Sequence, residues 1–140
     1  MWQNFHNVFS AVSTYSDLSP DIEIRRCVNN TLSLRPALSL DQWFDYFWSP
    51  LGISKSVVSF VYTYLEKYSG LQMSCVLPGD RLEQDLKLTL VCWFDWQLNF
   101  CEDFLLYFGL DISDRLDTYS LSTIEDFVKF LDSELAALHS

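Results

Sequence analysis

Apolar residues recur along this chain at the three-to-four-residue spacing of helices, with turn and cap residues between the runs. Trp2, Phe5, Val8, Phe9 and Val12 fall at i, i+3, i+6, i+7 and i+10, which predicts one helical stripe over 2–15. Ser19-Pro20 reads as an N-cap and first helical residue of a second helix through Ile24, Cys27, Val28 and Thr31, ended at or before Pro36. Ser39 caps a third, aromatic segment holding Trp43, Phe44, Tyr46, Phe47 and Trp48, and Pro50-Leu51-Gly52 closes it. Ser54 caps a fourth helix over 55–69, with Val57, Val58, Val61, Tyr64, Leu65 and Tyr68 on one side and Gly70 just past its end.

After a loop over 71–80 the pattern predicts one long central helix from 88 to 108. Val91, Phe94, Leu98, Cys101, Leu105 and Phe108 form its main stripe, and Trp93, Trp96, Phe100 and Tyr107 a second one, expected to lie under the first two helices or against a second subunit. Ser122 and Glu125 form an S-x-x-E capping box for a last helix whose apolar face is Ile124, Phe127, Val128, Leu131, Leu135 and Leu138. The expected fold is therefore all-α, a compact bundle of five or six helices in a single domain over 1–140. Within it, 1–35 reads as an N-terminal helical extension and 36–138 as the core bundle.

Composition supports this class, because 49% apolar and 16% aromatic residues supply a core, while four Gly and four Pro are too few to punctuate an all-β fold. Charge narrows the function. The net charge is −10, of which residues 1–79 contribute −1 and residues 80–140 contribute −9. Such a field repels phosphate backbones and anionic membranes and attracts basic surfaces, so the expected partner is a protein with a basic surface, not nucleic acid or a membrane. With no basic stretch at the start and no long uninterrupted apolar run, the expected location is cytoplasmic.

Catalytic signatures are missing from the pattern. The two histidines, His6 and His139, stand near the ends, and Cys27, Cys75, Cys92 and Cys101 have neither C-x-x-C spacing nor a neighbouring His. Carboxylates around Cys92 and Cys101 disfavour a thiolate there. Phosphate-binding glycine loops and zinc-protease or EF-hand motifs do not occur. No enzyme activity, cofactor or metal is expected.

The candidate contact residues are acidic and aromatic. Asp95, Asn99, Glu102 and Asp103 share one helix face at i, i+4, i+7 and i+8, and Asp111 and Asp114 belong to the acidic connector that follows. Such a face can in principle hold a hard cation, but an ordinary solvated stripe is the favoured reading. Trp43, Trp48 and Trp96 are the aromatic candidates, for which core packing is the favoured reading and a partner surface or a homodimer through aromatic surfaces the alternative.

Residues 80–135 also carry an order of motifs: Leu82-Glu83-Gln84-Asp85-Leu86, an acidic helix ending in Phe108-Gly109-Leu110-Asp111-Ile112, and Leu121-Ser122-Thr123-Ile124-Glu125-Asp126-Phe127. This resembles the acyl-carrier-protein fold, whose pattern is L-x-x-D-L, an acidic recognition helix ending in F-x-x-x-I, and a T-x-x-D-L start to the last helix. The stretch that holds the phosphopantetheine serine in that family reads Lys87-Leu88-Thr89-Leu90 here. The resemblance thus implies a carrier-like domain without the prosthetic arm. The functional expectation is a non-catalytic acidic protein-interaction module. The alternatives are a carrier-like protein holding an acyl or apolar ligand, and an inhibitor or immunity-type decoy of a nucleic-acid-binding protein.

Overall fold

Helix α1 (Ile22–Leu32) starts where the Asp21 carboxylate accepts the N–H of Ile24 at 3.1 Å. The cap is Asp21 rather than Ser19, because the Asp21 N–H is already committed to the Leu90 carbonyl at 2.8 Å and its backbone is held extended. The computed structural model describes residues 19–117 and 120–139, so the helix expected over 2–15 lies outside the described residues.

Helix α2 (Leu40–Trp43) opens with a reciprocal capping box between Ser39 and Gln42 and widens into a π-turn over Phe44–Trp48, then a 3₁₀ turn over Ser49–Leu51. The widening has a packing reason. In an α-helix residues five apart point about 140° apart, whereas a π-turn brings them toward one side. Trp43 and Trp48 can therefore both turn inward, with ring centroids 5.3 Å apart and neither ring exposed. The Trp43 indole N–H donates to the Val76 carbonyl at 2.7 Å, while the Trp48 indole N–H is buried without an acceptor.

Helix α3 (Lys55–Ser69) matches the expected span and ends at Gly70, whose φ of 69° is the left-handed conformation glycine adopts without strain. A side chain at Gly70 would also strike the Arg25 guanidinium, 2.7 Å from where its Cβ would stand. At the other end Ser54 does not cap through its hydroxyl; its N–H donates instead to Asp132 of the last helix.

The single helix expected over 88–108 is two helices, α4 (Leu88–Val91) and α5 (Trp96–Phe108). The carbonyls of Leu90 and Val91, which a continuous helix would pair with Phe94 and Asp95, are taken by the Asp21 N–H at 2.8 Å and the Arg25 guanidinium at 2.6 Å. Cys92 is extended, and the chain restarts four residues later with its helical phase reset. Tertiary hydrogen bonds from α1 thus outweigh local helix propensity.

The last helix, α6 (Ile124–His139), is capped one residue later than expected. Thr123 and Asp126 make the reciprocal pair, at 3.2 and 3.1 Å, in place of Ser122 and Glu125. The shift follows from tertiary pairing, since the Ser122 carbonyl accepts Leu82 N–H and the first helical N–H groups, of Ile124 and Glu125, reach the carbonyls of Asp80 and Pro78. Glu125 turns instead to Lys129.

The fold is all-α, with six α-helices and no strand among the described residues, closed around one core. Val28 and Leu32 of α1 belong to that core, so the described part of 1–35 is integral to it. At its centre Phe60 of α3 meets Phe100 and Phe104 of α5 edge-on at 5.2 and 5.4 Å, and Phe127 of α6 packs on Phe100 at 5.2 Å and Trp96 at 6.5 Å. Trp96 and Phe100 pack against α3 and α6, and α1 packs against α4; the part of the expected cover that involves 2–15 lies outside the described residues.

The two inner tryptophans differ in their polar atom, and stability should register the difference. Trp43→Phe removes ring volume and orphans the Val76 carbonyl, and is expected to cost about 2–4 kcal/mol. Trp48→Phe loses comparable volume but also removes an unpaired donor, so its loss should be smaller. Urea unfolding of both variants checks the order.

Candidate interaction surface

Phase decides which side of α5 meets water. At 100° per residue, Trp96, Phe100 and Phe104 form one stripe, and Leu98, Glu102, Leu105 and Leu106 form the opposite one. The three leucines are 56%, 42% and 85% exposed. Sequence reading had placed Leu98 and Leu105 on the main buried stripe. The helix break is what reverses the two faces, and Phe94, just before α5, is left 65% exposed.

The acidic connector runs along the same side. Buried Ile112 anchors it, and a cleft of about 220 Å³ between Gln97, Leu98 and Cys101 of α5 and Ser113 and Leu116 separates the two. Asp111 accepts the Ser113 N–H at 2.9 Å and hydroxyl at 2.6 Å, and these bonds hold its carboxyl below the ordinary carboxylate range. Arg115 ties the connector to α6 through Glu134, donates to the Asp111 carbonyl at 2.8 Å and reaches Asp114 at 3.3 Å.

The expected cluster on α5 divides. Glu102 points outward and has no ion-pair partner among the described residues. Asp103 turns toward α3, where it accepts the Tyr68 hydroxyl and stands 3.5 Å from Lys67. Burial first, and then that hydrogen bond, raise the Tyr68 hydroxyl above its ordinary range. Asn99 and Asp95 are half-buried, and the Asn99 carbonyl accepts a second contact from Tyr68 at 3.3 Å. Trp43, Trp48 and Trp96 are core side chains, 0%, 0% and 4% exposed, so in this structure none of the three offers a contact surface. The residues that sequence reasoning missed are Leu98, Leu105 and Leu106. Their signal was the competition from α1 for the carbonyls of α4, which no local pattern shows.

Asp80 and Asp85, like Asp103, are engaged internally. Asp80 is buried and binds Arg35 through both oxygens at 2.6 and 3.0 Å while accepting the Leu77 N–H. Asp85 pairs with Arg81, and the hydrogen bonds from that residue hold its carboxyl below the ordinary range. Glu102, on α5, and Asp111 and Asp114, in the connector that follows it, are exposed.

Burial pushes the Cys92 thiol up to about 12 and the Cys101 thiol up to about 11, a larger influence than the neighbouring carboxylates. Among the described residues no group of His, Cys, Asp and Glu is arranged to hold a metal ion, and no helix is long and apolar enough to cross a membrane. Thr89 is exposed in the first turn of α4, with its N–H on the Glu83 carboxylate at 3.2 Å.

No protein-family model matches the chain, and neither a curated protein nor a solved structure matches it.

Thiol burial predicts selective alkylation. In the native protein at about pH 8, iodoacetamide should label exposed Cys27, whereas Cys92 and Cys101 should react only after unfolding. Peptide mapping by mass spectrometry reads the order; rapid native labelling of Cys92 would contradict the burial that raises it.

Proposed function

We propose that the protein is a non-catalytic, cytoplasmic interaction module that receives a basic partner surface on the outer side of α5 and the adjoining connector. One observation carries this reading: Glu102, a carboxylate with no ion-pair partner among the described residues, stands among three solvent-exposed leucines beside the acidic connector. Isolated exposed leucines are ordinary, but an apolar strip rimmed by charge of one sign is how interaction surfaces are built. The charge adds direction. Carboxylates at the rim steer a basic partner and set the association rate, and burial of the leucines supplies affinity. The resemblance of residues 80–135 to acyl carrier proteins fits such a role, since an exposed threonine in place of the prosthetic serine leaves recognition as the shared property.

The test is charge reversal at positions that do not support the fold. Glu102→Lys with Asp114→Lys meets that condition, whereas Asp103 does not, because Tyr68 and Lys67 depend on it. With the protein immobilised and exposed to extract of its native cells, a basic binder should be retained by the parent and reduced at least about tenfold by the double variant, with the thermal midpoint unchanged. Its association rate should fall as salt rises. Equal retention by parent and variant, from low to high salt, would remove the acidic rim from the account.

A further inference from the structure

A cleft of about 310 Å³ opens between the last turns of α1 and the loop that leads into α4. Val28 and Leu32 of α1 and Leu86 of the loop form its buried floor, and Cys27 and Thr31 stand exposed at its edge. Such a floor suits an apolar body of modest size. The charges around it decide which head group that body carries. Both oxygens of Asp80 accept the Arg35 guanidinium and both oxygens of Asp85 accept Arg81, so these four groups neutralise one another. The remaining charge on the lining is the half-buried Lys87. Its ammonium offers three donors, touches the Gln84 carbonyl at 3.4 Å and has no carboxylate partner among the described residues.

The backbone at Lys87 points the same way. Its φ of 54° is left-handed, and no other non-glycine residue among the described residues adopts such an angle. The turn requires it, because Leu86 and Leu88 on either side are both buried and their N–H groups bond the carbonyls of Arg81 and Leu82 at 3.0 and 3.1 Å. Glycine meets that geometry without strain, whereas a lysine there raises the energy of the fold. Strained positions of this kind cluster where a ligand is held.

We infer that this cleft binds a small aliphatic monocarboxylate, with its carboxylate on the Lys87 ammonium and its carbon chain on Val28, Leu32 and Leu86. One free cation suits a single negative charge, and the paired carboxylates of Asp80 and Asp85 beside it disfavour a dianion such as phosphate. The site does not rest on the proposed interaction surface of α5.

Titration of the full chain with acetate, butyrate and hexanoate, followed through methyl resonances by NMR, tests the site. Hexanoate should bind saturably and shift the methyl groups of Val28, Leu32 and Leu86, with affinity rising about fourfold for each methylene buried. Lys87→Gly should weaken hexanoate at least about tenfold by removing a charge-assisted hydrogen bond. Its thermal midpoint should stay at or above the parent's, because glycine relieves the left-handed strain. Lys87→Asn, which also tolerates this backbone, should lose the same affinity, while Lys87→Arg keeps the charge and should bind saturably. The absence of a saturable shift with hexanoate, shifts confined to Leu98, Leu105 and Leu106, or equal affinity in the parent and both neutral variants would overturn the site.

Discussion

The packing of one aromatic face of α5 between α3 and α6 is the constraint from which the surface follows. Phe60, at the middle of α3, takes Phe100 and Phe104 edge-on, and Phe127 closes the other side against Phe100 and Trp96. Edge-to-face ring pairs contribute beyond their buried area, and together with that area they fix the rotation of α5 about its own axis. Once Trp96, Phe100 and Phe104 face inward, the leucines at 98, 105 and 106 have only the outer side left. The exposed apolar row is thus a consequence of how the core closes. Under the proposed function, the acids beside it set the sign of the partner's charge.

A second set of interactions divides the acidic half into structural and available charge. The segment 77–82 is held from two directions: Arg35 grips the Asp80 carboxylate, while the carbonyls of Pro78 and Asp80 receive the first N–H groups of α6. Removing one partner of a buried ion pair leaves an uncompensated charge and costs about 3–5 kcal/mol, so Asp80 serves the fold. Asp85 and Asp103 are likewise engaged, with Arg81 and with Tyr68 and Lys67. The net charge of the region therefore overstates its free surface charge, and the proposed recognition surface rests on Glu102 and the connector.

Local pattern made the fold class legible. The span of α3 with its terminal glycine, the Ser39 cap and the inward face of α6 at Ile124, Phe127, Val128 and Leu131 all follow from apolar spacing and cap chemistry. What local pattern could not show was decided by distant partners. Asp21 and Arg25 capture the carbonyls that would have continued α4 into α5, and the loop at 78–82 moves the α6 cap by one residue. The same distance effect explains the candidate site. Glu102, Asp111 and Asp114 stay outside as their charge requires, whereas Trp43, Trp48 and Trp96, read as possible contacts, complete the core. The leucines were invisible because a stripe of apolar residues looks the same whether a helix turns it inward or outward.

The inward and outward faces of α5 are the central claim, and paired substitution measures them directly. Phe104→Ala should lose roughly 3–5 kcal/mol of unfolding free energy in urea, because it opens a cavity among Phe60, Phe100 and Phe108. Leu106→Gln, at the most exposed position of the row, should stay within about 1 kcal/mol of the parent. If Leu106→Gln were as damaging as Phe104→Ala, α5 would be turned the other way and the proposed surface would not exist.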